Sequence, residues 1–198
     1  MKKDYEHVSV LLDRSGSMNS IKSDVIGGFN HFIEDQKKVP GEMSVTLMSF
    51  ATHGDSTVMY DTVKLDDIKP LDLESYHPAG QTALNDSFVK LIELTGKKLG
   101  ELSEDQRPDK VLLVCITDGE ENDSREHTTQ TLKDIISHQK DRYNWEFIYI
   151  GANQDSFAEA NARGIKHSKA FAATAAGTKD MYRSLSASNT KYRGGGKL

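Results

Sequence analysis

Residues 10–18 read V-L-L-D-R-S-G-S-M, and the fold turns on how this stretch is understood. An apolar run (Val8, Val10, Leu11, Leu12) stops at an acid, Asp13, and hydroxyls follow at Ser15 and Ser17. That is the pattern of a buried strand entering a loop with an oxygen donor at every second position. Small oxygen donors gathered at the carboxyl end of a strand suit a hard cation such as Mg2+, which prefers oxygen ligands and keeps some of its waters. The same residues also spell an ordinary Asp-Ser-Gly turn, so the stretch alone leaves both readings open.

Outward from this stretch, strand-like and helix-like patterns alternate along the chain. Residues 7–12 form the first strand. Asn19 or Ser20 stands where a helix cap belongs, and Ile21, Val25, Phe29 and Phe32 then recur on one face. Gly27 and Gly28 each weaken that helix by up to ~1 kcal/mol relative to Ala, and open it to close packing against the sheet. Residues 43–50 alternate apolar and small polar side chains, which predicts a strand with one face more buried than the other. Residues 57–63 read as another strand, and the short turn at His53-Gly54-Asp55 predicts an antiparallel hairpin, since a parallel partner needs a long crossover. Residues 84–99 carry helical spacing through Leu84, Phe88, Leu91, Ile92 and Leu99. Residues 110–116 are apolar without alternation, as in a strand covered on both faces.

A helix over 128–140, a strand over 145–150, a short helix over 156–163 and an edge strand over 165–171 follow. The last helix is expected over 178–188, and its thin apolar face (Met181, Tyr182, Leu185) predicts loose docking. Residues 1–190 read as one domain and 191–198 as a flexible C-terminal tail.

Strands alternating with helices imply a mostly parallel sheet between two helical layers, with the hairpin adding one antiparallel edge strand. Ligands in such folds sit at the carboxyl ends of the strands, where the strand order reverses. The loops after the first strand and after 110–116 both occupy that position and both carry an acid: Asp13 in one, Asp118 in the other. Asn153 and Asp155 follow a further strand end and are placed to line the same edge, although Asp155 is equally suited to capping the next helix.

The D-x-S-x-S of Asp13, Ser15 and Ser17 thus has two companions: Thr82, in G-Q-T ahead of a helix, and Asp118, in T-D-G after the buried strand. In this order and between these elements, the set resembles the von Willebrand factor type A domain family over roughly residues 5–185. The resemblance implies a three-layer α/β/α Rossmann-like fold and a metal-ion-dependent adhesion site holding Mg2+, with Mn2+ as the other candidate. By that likeness Ser15 and Ser17 are direct ligands, and Thr82 binds directly or through water. Asp13 and Asp118 act through water or as acceptors behind the ligands. A cation held mainly by neutral hydroxyls keeps charge to spare, and so attracts an acidic side chain from a partner protein. Relatives of the intracellular microbial type often work beside AAA+ ATPases or in larger assemblies, which implies an adaptor or regulatory module.

A metal-dependent phosphoryl-transfer or hydrolytic enzyme using Asp13 is the alternative. Enzymes with an aspartyl nucleophile show D-x-D, whereas Ser15 holds the second acid position here, and no base or nucleophile is marked beside the site. No catalytic residue is therefore assigned. Glu120, Glu121 and Asp123 crowd the loop past Asp118, either as a solvated acidic loop or as a means of raising local cation concentration or of selecting a partner with a basic rim. Arg14 offsets that field or faces solvent.

Composition closes off other classes. Over 198 residues, 28% are charged and the formal net charge is −5, which argues against non-specific nucleic-acid binding. No apolar run approaches the ~20 residues of a membrane span. Acids and a histidine follow Lys2 and Lys3 where an export signal is apolar, and the single Cys115 lies in an apolar run. A cytoplasmic setting is the expectation. The seven histidines show no helical metal-ligand spacing, and neither a phosphate-binding G-x-x-x-x-G-K-[ST] nor a G-x-S-x-G elbow occurs.

Overall fold

The apolar run 111–116 is buried from end to end, with Val111 the most open at 7%. Its side chains divide strictly by parity: Leu112, Val114 and Ile116 enter one core, and Val111, Leu113 and Cys115 the other. A strand's two-residue period puts neighbours on opposite faces, so this strand lies in the middle of a sheet covered on both sides. The computed structural model describes residues 1–152 and 155–198.

The strands are β1 (Lys2–Asp13), β2 (Glu42–Phe50), β3 (Ser56–Lys64), β4 (Pro108–Thr117), β5 (Glu146–Ala152) and β6 (His167–Phe171). The helices are α1 (Lys22–Gln36), α2 (Leu84–Gly100), α3 (Thr129–Tyr143), α4 (Ser156–Ala162) and α5 (Ala175–Arg193). The sheet order is β3-β2-β1-β4-β5-β6. All neighbours are parallel except β3, which pairs antiparallel with β2 at one edge. One core joins the sheet to α1 and α5, and the other joins it to α2 and α3. The layers, the mostly parallel sheet and the antiparallel edge strand match the sequence expectation. Strand order reverses between β1 and β4, which opens a crevice at their carboxyl ends.

Several boundaries differ from expectation for local reasons. β1 begins at Lys2, five residues early, because its first residue pairs with Pro108 across a register shift. Asp109 accepts the Asp4 and Tyr5 N–H groups there (3.3 and 3.2 Å). Neither Asn19 nor Ser20 caps α1. A 3-10 turn (Gly16–Ile21) leads into the helix, and no side-chain cap bond forms. β2 is buried on both faces from Met43 onward, because its polar residues are used internally. Ser44 Oγ meets His7 Nδ1 and Tyr5 Oη (both 2.8 Å), and Thr46 Oγ1 accepts Thr62 N–H (3.1 Å). Gly28, expected against the sheet, instead faces α5: a Cβ there would fall 2.1 Å from the Tyr182 ring.

The last helix is longer and more firmly seated than its apolar face suggests. It runs from Ala175 to Arg193, so residues 191–193, assigned to the tail from sequence, form its final turn. Polar side chains supply the missing attachment. Asn189 Nδ2 donates to Glu6 and to Gln36 (3.0 Å each), and Arg193 donates to the carbonyls of Gln36 (2.7 Å) and Gly41 (2.9 Å). Among the described residues, no helix is long and apolar enough to cross a membrane.

Candidate metal centre

β1 ends at Asp13, whose carboxylate is fully buried. Oδ1 accepts the Ser15 N–H (2.6 Å) and Oδ2 accepts the Thr117 hydroxyl (2.5 Å). The Tyr76 hydroxyl donates to the Asp13 carbonyl (2.5 Å). Both carboxylate oxygens are therefore committed, one to bend the chain back at Ser15 and one to tie β1 to the end of β4. Burial pushes the Asp13 pKa up to about 6, against the lowering effect of its bonds to Thr117 and Ser15.

The bend brings the serines together. Ser15 Oγ and Ser17 Oγ stand 3.1 Å apart, and the Ser17 hydroxyl donates to Asp118 Oδ1 (2.6 Å). Burial also raises the Asp118 pKa, opposed by that bond. Thr82 arrives from the segment before α2 and is buried. A Cβ on Gly119 would lie 2.8 Å from Thr82 Oγ1 and 3.7 Å from Asp13 Oδ2, so the glycine permits the β4 loop to close over both. Asp13, Ser15, Ser17, Thr82 and Asp118, named from sequence, are thus brought to one place by three loops.

Backbone bonds hold those loops to one another. Gly16 N–H donates to the Gly80 carbonyl (3.1 Å) and Ala79 N–H to the Arg14 carbonyl (2.7 Å). Thr82 N–H donates to Asn122 Oδ1 (2.9 Å), and Asn122 N–H donates back to the Thr82 carbonyl (3.1 Å). Thr117, Tyr76, Gly119 and Asn122 were not singled out from sequence. Thr117 and Gly119 flank Asp118, and could have been found from that adjacency. Tyr76 and Asn122 carry no local signal.

The residues of the acidic loop differ in their surroundings. Glu121 accepts from Asn85 N–H (2.7 Å), Asp123 N–H (3.0 Å), and the Ser124 N–H and hydroxyl (2.8 and 2.6 Å). Its position at the start of α2 satisfies a helix donor that would otherwise lack a partner. Asp123 accepts the His53 N–H (2.8 Å), and that bond leads in holding its pKa low. Glu120 is exposed. Arg14 pairs with Asp55 rather than facing solvent or the acidic loop. Asp155 caps α4 by accepting the Ala158 N–H (3.0 Å), and Asn153 lies outside the described residues.

Among the described residues, no group of three or more His, Cys, Asp or Glu side chains is placed to hold a metal ion. The donor set here is of another kind: three hydroxyls backed by two carboxylates, with no nitrogen or sulfur. It fits a hard divalent cation, whose ligands are oxygens. Ser15, Ser17 and Thr82 would hold the ion, with Asp13 and Asp118 orienting them and balancing charge.

No protein-family model matches the chain, and no curated protein sequence matches it either. Solved structures do. Proximal thread matrix protein 1 from the mussel byssus is 12% identical with a TM-score of 0.61, over 96% of this chain and 47% of that one. The same mussel protein has been solved with a zinc-occupied MIDAS motif. The manganese-loaded TRAP protein of Plasmodium vivax is 15% identical with a TM-score of 0.58, over 94% of this chain and 72% of that one. The pilus adhesin SpaC of Lactobacillus rhamnosus GG is 13% identical with a TM-score of 0.68, over 97% of this chain and 31% of that one. The chain spans about half the length of the mussel protein and under a third of the pilus adhesin. At these identities the likeness speaks for the fold, which is that of von Willebrand factor type A domains.

Proposed function

We propose that this type A fold holds a divalent cation, Mg2+ or Mn2+, and uses it to bind an acidic side chain of a partner protein. The observation that carries this reading is the meeting of Ser15, Ser17 and Asp118 within hydrogen-bond distance across two loops, with Thr82 closing from a third. If the ion's nearest protein ligands are neutral hydroxyls, its charge is compensated mainly from behind, and an incoming carboxylate completes its shell. The solved structures with manganese or zinc support a divalent ion at such a centre. The role that fits is an adaptor or regulatory module, with an AAA+ ATPase or a larger assembly as the partner. The single free cysteine, Cys115, is buried, in keeping with a cytoplasmic setting.

The enzymatic alternative asks Asp13 to act as a nucleophile. Its two oxygens are already engaged by Ser15 and Thr117 beneath the surface, which suits an organiser and not an attacking group. Calorimetric titration with Mg2+ and Mn2+, on the parent chain and on Ser15→Ala with Ser17→Ala, tests the proposal. Binding in the parent that is lost in the double variant is expected, followed by partner capture that a chelator abolishes. Absence of any divalent-ion binding by the parent would overturn it. Metal-dependent phosphate release that disappears in Asp13→Asn would favour the enzyme.

A further inference from the structure

We infer that Asn122 is a positioning residue for the metal centre, acting through Thr82; the inference rests on the metal-binding reading above. Asn122 is an exposed residue of the β4 loop, yet it grips the Thr82 peptide from both sides. Its side-chain oxygen accepts the Thr82 N–H at 2.9 Å, and its own N–H donates to the Thr82 carbonyl at 3.1 Å. Two bonds to one residue define an orientation where a single bond would leave a swivel.

Orientation matters here because of what Thr82 is. A β-branched side chain has few allowed χ1 settings for a given backbone. Fixing the Thr82 backbone therefore restricts where its hydroxyl can lie, and the observed place is against Gly119, where a Cβ would sit 2.8 Å from Oγ1. The next residue is held independently: Ala83 N–H donates to the Ala51 carbonyl (2.8 Å). Asn122 in turn is anchored by its neighbours. Glu121 accepts Asn85 N–H (2.7 Å) and Asp123 accepts His53 N–H (2.8 Å), which fasten the loop to α2 and to the turn after β2. Because Asp118 lies in the same loop, Asn122 joins Thr82 to the segment that carries the aspartate.

The test compares Asn122→Ala in three backgrounds, with Mn2+ as the probe in calorimetry. In the parent chain, loss of a group that orients a ligand is expected to weaken Mn2+ binding about tenfold. In a Ser17→Ala background the same tenfold loss is expected, since that ligand is reached independently. In a Thr82→Ala background the effect is expected to vanish, because the hydroxyl that Asn122 aims is gone. Amide exchange of the metal-free chain gives a readout free of the ion. Thr82 N–H should lose protection in Asn122→Ala while Ala83 N–H keeps it. An equal loss of affinity with and without the Thr82 hydroxyl would show general loosening and overturn the inference, as would unchanged affinity in the parent or unchanged Thr82 exchange. A parent chain that binds no Mn2+ would overturn the metal reading and this inference together, and is told apart by the parent titration alone.

Discussion

Ser17 and Asp118 lie 101 positions apart in the chain, and the serine hydroxyl donates to the aspartate at 2.6 Å. Their meeting follows from the pairing of β1 with β4. Once Leu12 lies beside Ile116, the loops leaving those strands have little choice but to share the crevice above them.

Asp13 and Ser17 are expected to separate structure from binding. Asp13→Ala strips a buried N–H and a buried hydroxyl of their acceptor, at about 1–3 kcal/mol each. Asp13→Asn keeps one acceptor and should cost less. Ser17 is exposed, so Ser17→Ala should stay within ~0.5 kcal/mol in stability while weakening divalent-ion binding. Urea unfolding beside Mn2+ titration of the three variants checks the order.

The adjacent glycines of α1 should respond in opposite directions. A Cβ at Gly27 meets nothing within 4 Å, whereas one at Gly28 lands on the Tyr182 ring. Gly27→Ala should raise stability by about 0.5–1 kcal/mol through helix propensity. Gly28→Ala should lower it by about 1–3 kcal/mol by forcing α1 from α5. Thermal melts of the two single variants suffice, and a gain for Gly28→Ala would contradict the packing described.

Two neighbours on β1 should impose opposing pH slopes. Burial raises the Glu6 pKa from 4.5 to about 7, helped by the nearby Asp109 carboxylate and partly offset by the bond to Asn189 and by the charges of Arg193 and Lys110. Between those values the unfolded chain has already lost the proton that the folded chain keeps, so this contribution falls as pH rises. Burial lowers the His7 pKa from 6.5 to about 4. There the unfolded chain takes up a proton that the folded chain refuses, so the contribution falls as pH drops. Each amounts to up to about 3 kcal/mol. Relative to the parent, Glu6→Gln should gain stability as pH rises from 4.5 to 7. His7→Gln should gain as pH falls from 6.5 to 4. Denaturant midpoints across pH 4–8 decide both, and parallel profiles would refute the assignment.

In the acidic loop, Glu121 and Glu120 should prove unequal. Glu121→Ala removes the acceptor of four bonds and should destabilise the chain by about 1–3 kcal/mol. Glu120→Ala, at an exposed position, should lie within ~0.5 kcal/mol of the parent. Equal effects in thermal melts would restore the picture of an undifferentiated acidic loop.

Much of the fold was legible because burial leaves a periodic trace. The unbroken apolar run at 111–116 announced a central strand, and the short link at 53–55 announced the antiparallel edge. The errors lie where polar side chains replaced apolar ones in the packing. Asn189 and Arg193 seat α5 through hydrogen bonds, which leave no mark in an apolar pattern, so the helix looked shorter and looser than it is. Ser44 and Thr46 made β2 look half-exposed for the same reason.

The sequence by itself determined the layered architecture and named Asp13, Ser15, Ser17, Thr82 and Asp118, since strand ends and motif spacing are local properties of the chain. Only the tertiary structure decided which groups each of them faces. Asp13 has both carboxylate oxygens occupied, one by Ser15 and one by Thr117. Thr82 has its backbone held by Asn122, forty positions away. Glu121 became a fastening because the start of α2 lies beneath it. Those contacts form across loops, and hydrogen-bond partners distant in sequence are chosen by the folded chain alone.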